Sequence, residues 1–169
     1  MPSRSDASTA SRLASKIAGT ERTALLCQVG SLVCGLPLEH ISETMRPLPL
    51  EPFHGMPPFV DGLSIIRGAP VPVVDLARLL GNDNGARRTR LVVVKVHERH
   101  VALSVEQVIG VRSIDVTASD ALPPLLGSAR ADFVSAVGSL DAHLLVVLES
   151  GLILPASTWA SLDSGSGEA

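Results

Sequence analysis

Aromatic residues are almost absent: the 169 residues hold three phenylalanines, one tryptophan and no tyrosine. Proteins that stack bases on aromatic platforms, and grooves that grip Pro-rich peptides with aromatic walls, need more than this. A basic surplus is missing too. The net charge of −3 and a pI near 5.9 leave no electrostatic footprint for a nucleic-acid backbone. No apolar run approaches the roughly 18 residues that cross a bilayer. Two cysteines, Cys27 and Cys34, are too few for a disulfide framework and sit in valine- and leucine-rich surroundings, as small core residues kept reduced in a cytoplasm.

Phosphate-cradling loops of the Gly-x-x-x-x-Gly-Lys and Gly-x-Gly-x-x-Gly types are absent, as is a Gly-x-Ser-x-Gly elbow. His97-Glu98-Arg99-His100 has half the look of a metal motif, but on a hairpin these residues flank a turn and do not stack as helical zinc ligands do. His40, His54 and His143 are isolated. Asp61, Asp75 and Asp141 follow apolar runs, where catalytic acids can sit, yet Asp75 has a simpler role as N-cap of a short helix from Leu76 to Leu80. The chain reads as having no catalytic function and no cofactor.

What is present is aliphatic and short-ranged: 46% of the residues are apolar and 18% charged. The segment 1–22 is Ser/Ala-rich, lacks a signal-peptide apolar stretch and reads as a disordered tail. Strands are predicted at Thr23–Val29 and Leu32–Leu36 about a Gly30-Ser31 turn, then a helix over Leu38–Met45 from the spacing of Leu38, Ile41 and Met45. The prolines from Pro47 to Pro58 exclude regular pairing. Further strands are predicted at Leu63–Ile66, Val71–Val74, Leu91–Val96, Val101–Val105 (turning at Glu98-Arg99) and Val111–Val116. After a Pro123-Pro124 loop come Phe133–Leu140 and Leu144–Leu148. The stretch from Asn82 to Arg90 reads as an exposed loop, and residues 156–169 as a flexible or short helical tail.

An internal repeat organises these strands. Shifted by 67 positions, Leu25, Cys27 and Val29 fall on Val92, Val94 and Val96, while Cys34, Leu36 and Ile41 fall on Val101, Leu103 and Val108. Shifted by 74, Phe59 meets Phe133, Leu63 meets Val137, Val71 meets Leu145 and Asp75 meets Glu149. Two small all-β copies would pack together and leave a groove between them. The copies differ at one turn: Arg67-Gly68 becomes Asp141-Ala142. A fold that accepts Asp there does not itself need Arg. Two readings are open for Arg67, a solvated hairpin arginine or a recognition residue paired with Glu43.

The chain resembles the CheW-like adaptor family of bacterial chemosensory arrays. The resemblance is carried by Cys-Gln-Val-Gly-Ser-Leu-Val-Cys-Gly-Leu-Pro-Leu (27–38), Ile-Ser-Glu-Thr-Met (41–45), Pro-Pro-Phe-Val-Asp-Gly-Leu-Ser-Ile-Ile-Arg-Gly (57–68) and Val-Pro-Val-Val-Asp-Leu (71–76). It implies a mainly β domain over residues 23–155, built as two intertwined SH3-like five-stranded β-barrel lobes around a shared hydrophobic region, with a few short helices. It implies a non-catalytic cytoplasmic scaffold that couples the signalling tips of chemoreceptors to a CheA-type histidine kinase. The receptor-binding groove implied on this chain involves Ile41, Glu43, Thr44, Leu63, Arg67, Val101 and Val108, with Glu43 and Arg67 as an acid–arginine pair. Kinase contacts would use the apolar ends of the barrels. Sulfur at Cys27 and Cys34 in place of the usual aromatic, and Ile-Ile-Arg-Gly where Asn-Leu-Arg-Gly is frequent, point to a divergent adaptor of an accessory pathway. The competing class is a β-barrel that holds a small ligand, or a metal through His97 and His100.

Overall fold

The computed structural model describes residues 20–116, 133–141 and 143–165. Residues 1–19 of the predicted tail, the Pro123-Pro124 loop, Ala142 and the chain end from 166 lie outside the described residues. Ten strands carry the fold of the described residues. β1 (Thr20–Val29) and β2 (Leu32–Pro37) form the first hairpin, so the first strand begins at Thr20 and not at Thr23. Its turn needs glycine: Gly30 has φ +60, and a Cβ there would lie 2.3 Å from the Asn82 carbonyl oxygen.

The predicted helix over Leu38–Met45 is not formed. A single 3-10 turn, Leu38–His40, leads into strand β3 (Ile41–Met45), whose residues alternate between half-buried and exposed. Ile41, Glu43 and Met45 satisfy a period of two as well as Leu38, Ile41 and Met45 satisfy a helical one. The open edge of a neighbouring strand decides between them.

Next come β4 (Val60–Ile66) and β5 (Ala69–Asp75), joined at Arg67-Gly68. Helix α1 (Leu76–Leu79) follows, with the Asp75 carboxylate accepting from the Arg78 backbone N–H as foreseen. β6 (Arg90–Val96) and β7 (Arg99–Val105) turn at His97-Glu98, one residue earlier than predicted, because His97 takes the left-handed φ of +54 that Gly30 takes in the first hairpin. β8 (Gln107–Val116) starts well before the predicted Val111; β9 (Val134–Leu140) and β10 (His143–Leu148) follow. Helix α2 (Ala156–Gly165) ends the described chain. No helix among the described residues is long and apolar enough to cross a membrane.

The strands form two five-stranded sheets, β8-β1-β2-β10-β9 and β3-β6-β7-β5-β4. The registers reproduce the repeat. Cys27 opposes Cys34 as Val94 opposes Val101, and Val147 lies beside Gly35 as Val73 lies beside Ala102. Even the irregularities coincide: a bulge separates Ile41 from Glu43 on β3 where one separates Val108 from Gly110 on β8. Asp75 donates its backbone N–H to the Phe59 carbonyl at 2.8 Å, and Glu149 does the same to Phe133 at 2.6 Å.

Yet neither copy makes a sheet of its own. The first sheet joins the hairpin of the first copy to three strands of the second, and the other sheet does the converse. In each sheet the two end strands do not pair with each other, so the two SH3-like five-stranded lobes are barrels with an open seam.

Both sheets are covered on both faces. One face of each meets a central core that holds Leu25, Cys27, Cys34 and Leu36 from the first sheet and Val92, Val94, Val101 and Leu103 from the second. The opposite faces make two smaller cores, Leu26, Val33, Leu145 and Val147 in one lobe and Val71, Val73, Leu91 and Val93 in the other. The Pro-rich segment packs Phe53 and Met56 onto the central core and makes one isolated bridge, Glu51 to Leu63, along the outer edge of β4. That bridge shields an edge strand that would otherwise offer free backbone groups.

Candidate functional site: an arginine–glutamate clasp across one open lobe

β3 and β4 are the two edges of the second sheet, and no backbone hydrogen bond closes the seam between them. Side chains do. The bulge at Ser42 sets Ile41 opposite Val94 but Glu43 opposite Val93, so Ile41 packs on the central core while Glu43 turns toward the lobe's own interior. From the far edge, Arg67 projects out of a two-residue turn in which Arg67 and Gly68 have φ +51 and +79, the primed geometry that suits a hairpin's twist. Its Nε donates to Glu43 Oε1 at 2.7 Å and an Nη donates to Oε2 at 2.9 Å. This bidentate pair is the strongest geometry open to the two groups. Glu43 is largely covered (24% exposed), whereas Arg67 stands out at 79%. The Arg67 hydrogen bonds hold the Glu43 carboxyl below the usual range, with the charges of Arg67 and His100 acting in the same direction.

Behind the clasp lies a cleft of about 460 Å3 lined by Ser42, Ile66, Ala69, Val71, Val93 and His100. Among the described residues the other lobe has no such pair. By the repeat shifts, Glu43 corresponds to Gly110 and Arg67 to Asp141. Asp141 keeps the same left-handed φ, +53, so the turn persists without the arginine. His100 stands where that lobe has Val33, a polar-for-apolar exchange between the copies that is readable in the sequence.

The remaining predicted residues divide. Thr44 is exposed on β3, beside Glu43. Ile41, Leu63 and Val108 are half-buried and pack against the rim of the central core, with Ile41 and Val108 equivalent under the repeat. Val101 does not belong with them. It is fully buried on β7, opposite Val94, with the same place in the core as Cys34, so it offers no surface to a partner. The physical reason is that β7 is covered on both faces, which a run of alternating valines does not reveal.

Two other clusters differ from expectation. Arg88, predicted in an exposed loop, is mostly covered and donates to the buried Asp75 carboxylate at 3.1 Å and to Asp83 at 2.8 Å. Arg78 reaches Asp61 at 3.2 Å beside them. Burial, and then the charge of Asp75, push the Asp61 carboxyl up. His97 in the turn and His100 on β7 are both exposed, and among the described residues no group of three or more His, Cys, Asp or Glu is arranged to hold a metal ion.

Comparison with known proteins decides the family. The profile of the CheW-like domain matches residues 23–157. The chain belongs to the CheW-like family. Protein FrzA of Myxococcus xanthus is 37% identical over 106 residues, a stretch that covers 62% of this chain and 65% of that protein. The match therefore spans less than two thirds of that relative's length. The crystal structure of the scaffolding protein TtCheW from Thermoanaerobacter tengcongensis superposes with a TM-score of 0.68 at 19% identity. It covers 82% of this chain and 96% of that one, which shows the shared two-lobed fold. The matched CheW-like region holds both the clasp and its cleft.

Proposed function

We propose that this CheW-like chain is a non-catalytic, cytoplasmic adaptor that couples the signalling tips of chemoreceptors to a CheA-type histidine kinase. The observation that carries the reading is the one-sided clasp: a bidentate Glu43–Arg67 pair bridges the seam of one lobe, while the duplicated lobe folds with Gly110 and Asp141 in its place. A pair the fold can do without, held on an exposed turn, has the make-up of a recognition element. Ile41, Leu63 and Val108 would bury against a receptor helix bundle at about 25 cal/mol per Å2 of apolar area. The arginine at the rim would orient the contact and reject wrong partners more than it adds affinity. In an array, many such weak contacts held side by side give strong overall attachment.

The test is co-sedimentation with receptor clusters, run beside capture of the kinase's regulatory domain. Arg67→Ala is expected to keep the wild-type melting curve and lose sedimentation several-fold. Ile41→Asp is expected to lose sedimentation with some lost stability. Wild-type sedimentation by Arg67→Ala removes the clasp from the site. Failure of the unaltered chain to capture either partner ends the adaptor reading.

A further inference from the structure

Helix α2 lies over a groove that it does not fill. It faces inward through three side chains: Leu162 reaches the central core, Trp159 packs half-buried against that core, and Thr158 is buried. Trp159 borders a hollow of about 610 Å3 on one side, walled by Phe59, Leu79, Val96, Phe133 and Ile153, and another of about 360 Å3 on the other, walled by Leu63, Val71, Pro72 and His100. The helix is also poorly suited to stand alone. It has ten residues, and the hydroxyls of Ser161 and Ser164 donate back to the carbonyls of Ser157 and Ala160, which competes with the helical ladder. A side chain of the sheet helps to fix it. Arg99, at the start of β7, places its guanidinium 4.9 Å from the centre of the Trp159 ring and donates to Asp163 Oδ2 at 2.7 Å.

We propose that α2 is a displaceable strap, latched by Arg99, over a helix-binding groove between the β4–β5 and β6–β7 hairpins, and that a partner's amphipathic helix takes the groove when the strap leaves. The occupant is specified by what sits there now: a helix with an aromatic residue and a leucine three positions apart and an acid directly after the leucine, as Trp159, Leu162 and Asp163 are spaced. Release of the strap uncovers the flank of Leu63, which ties the groove to the proposed partner surface. The partner half of this inference rests on the adaptor reading; the strap itself does not.

Amide hydrogen exchange on the full chain tests the strap without any partner. The α2 amides are expected to exchange at least tenfold faster than those of β6 and β7. Arg99→Ala should speed them roughly tenfold more and shift Trp159 emission to the red, with the strands unchanged. Asp163→Asn, which keeps the ring contact, should give a smaller release. Exchange in α2 as slow as in the strands, or equal loosening of strands and helix in both variants, overturns the strap. The second arm uses a receptor cytoplasmic helix bundle as probe: Asp163→Asn, which loosens the strap and keeps Arg99 for the partner's acid, should bind it several-fold more tightly than the unaltered chain. Equal binding by both overturns the groove as the docking site. Binding by neither counts against the adaptor reading, and the exchange data still decide the strap.

Discussion

Arg67 holds a backbone position that glycine or asparagine fills at less cost, since a left-handed residue with a Cβ is strained by about 1 kcal/mol. Arg67→Asn should therefore leave the chain as stable or up to about 1 kcal/mol more stable in urea unfolding, while receptor co-sedimentation falls. Improved stability with intact binding would assign the arginine to neither task. The pH response has a definite sign. The Glu43 carboxyl is depressed below its ordinary value of 4.5 by Arg67, so the pair is intact above that value and is lost as the pH falls through the depressed one. The dependence of binding on Arg67 should thus be flat from neutral pH to about 5 and disappear only in more acid solution, as a titration of wild type against Arg67→Ala will show. At Cys27 burial pushes the thiol up to about 12, and Cys34 is raised in the same direction for the same reason, with the neighbouring Cys27 adding to it. Both should resist iodoacetamide at pH 8 in the native chain and react at once in denaturant, because the thiolate is the nucleophile.

At the scale of elements, the corner between β5 and α1 is the point where one residue serves several roles. Asp75 caps α1 through the Arg78 N–H at 3.2 Å and accepts from the mostly covered Arg88. Asp75→Ala removes the cap and leaves a cation in a covered site with one partner fewer, a loss of about 3 kcal/mol. Replacing Arg88 as well, by methionine, should recover part of that loss; strictly additive losses in the double variant would show that the two do not interact. The first hairpin is fixed by its turn. Asn82 Nδ2 donates to the Val29 carbonyl at 2.8 Å and the Gly30 N–H donates to Glu106 at 2.8 Å, while no room remains for a Cβ at Gly30. The expectation that failed at this scale was the helix over Leu38–Met45. Its residues fit two periods, and only the unpaired edge of β6 selects the strand.

For the whole molecule, the exchange of hairpins between the two copies removes any boundary along the chain at which one lobe could separate from the other. Each sheet needs strands from both halves of the sequence, and one central core lies between them. Unfolding in urea should accordingly be a single transition, with the amide resonances of Leu26 in one lobe core and Val93 in the other lost at a common midpoint. Separate midpoints would mean that the lobes hold together independently. Folding should also be slow for the chain's size, because β1 and β2 wait for β8 to β10.

Patterning alone determined most of the strands, the Asp75 cap, and the duplication with its two shifts, since period-two alternation and turn residues act over short stretches of chain. The contrast between copies also singled out Arg67, with Glu43 as the candidate acid in one of its two open readings. Only the tertiary structure decided which copy supplies which strand, that Val101 is sealed in the core, that Arg88 is covered, and that α2 lies across the groove beside Leu63. These depend on what covers the second face of each sheet and on which edges meet. Both are set by contacts between residues far apart in sequence, and no local period encodes them.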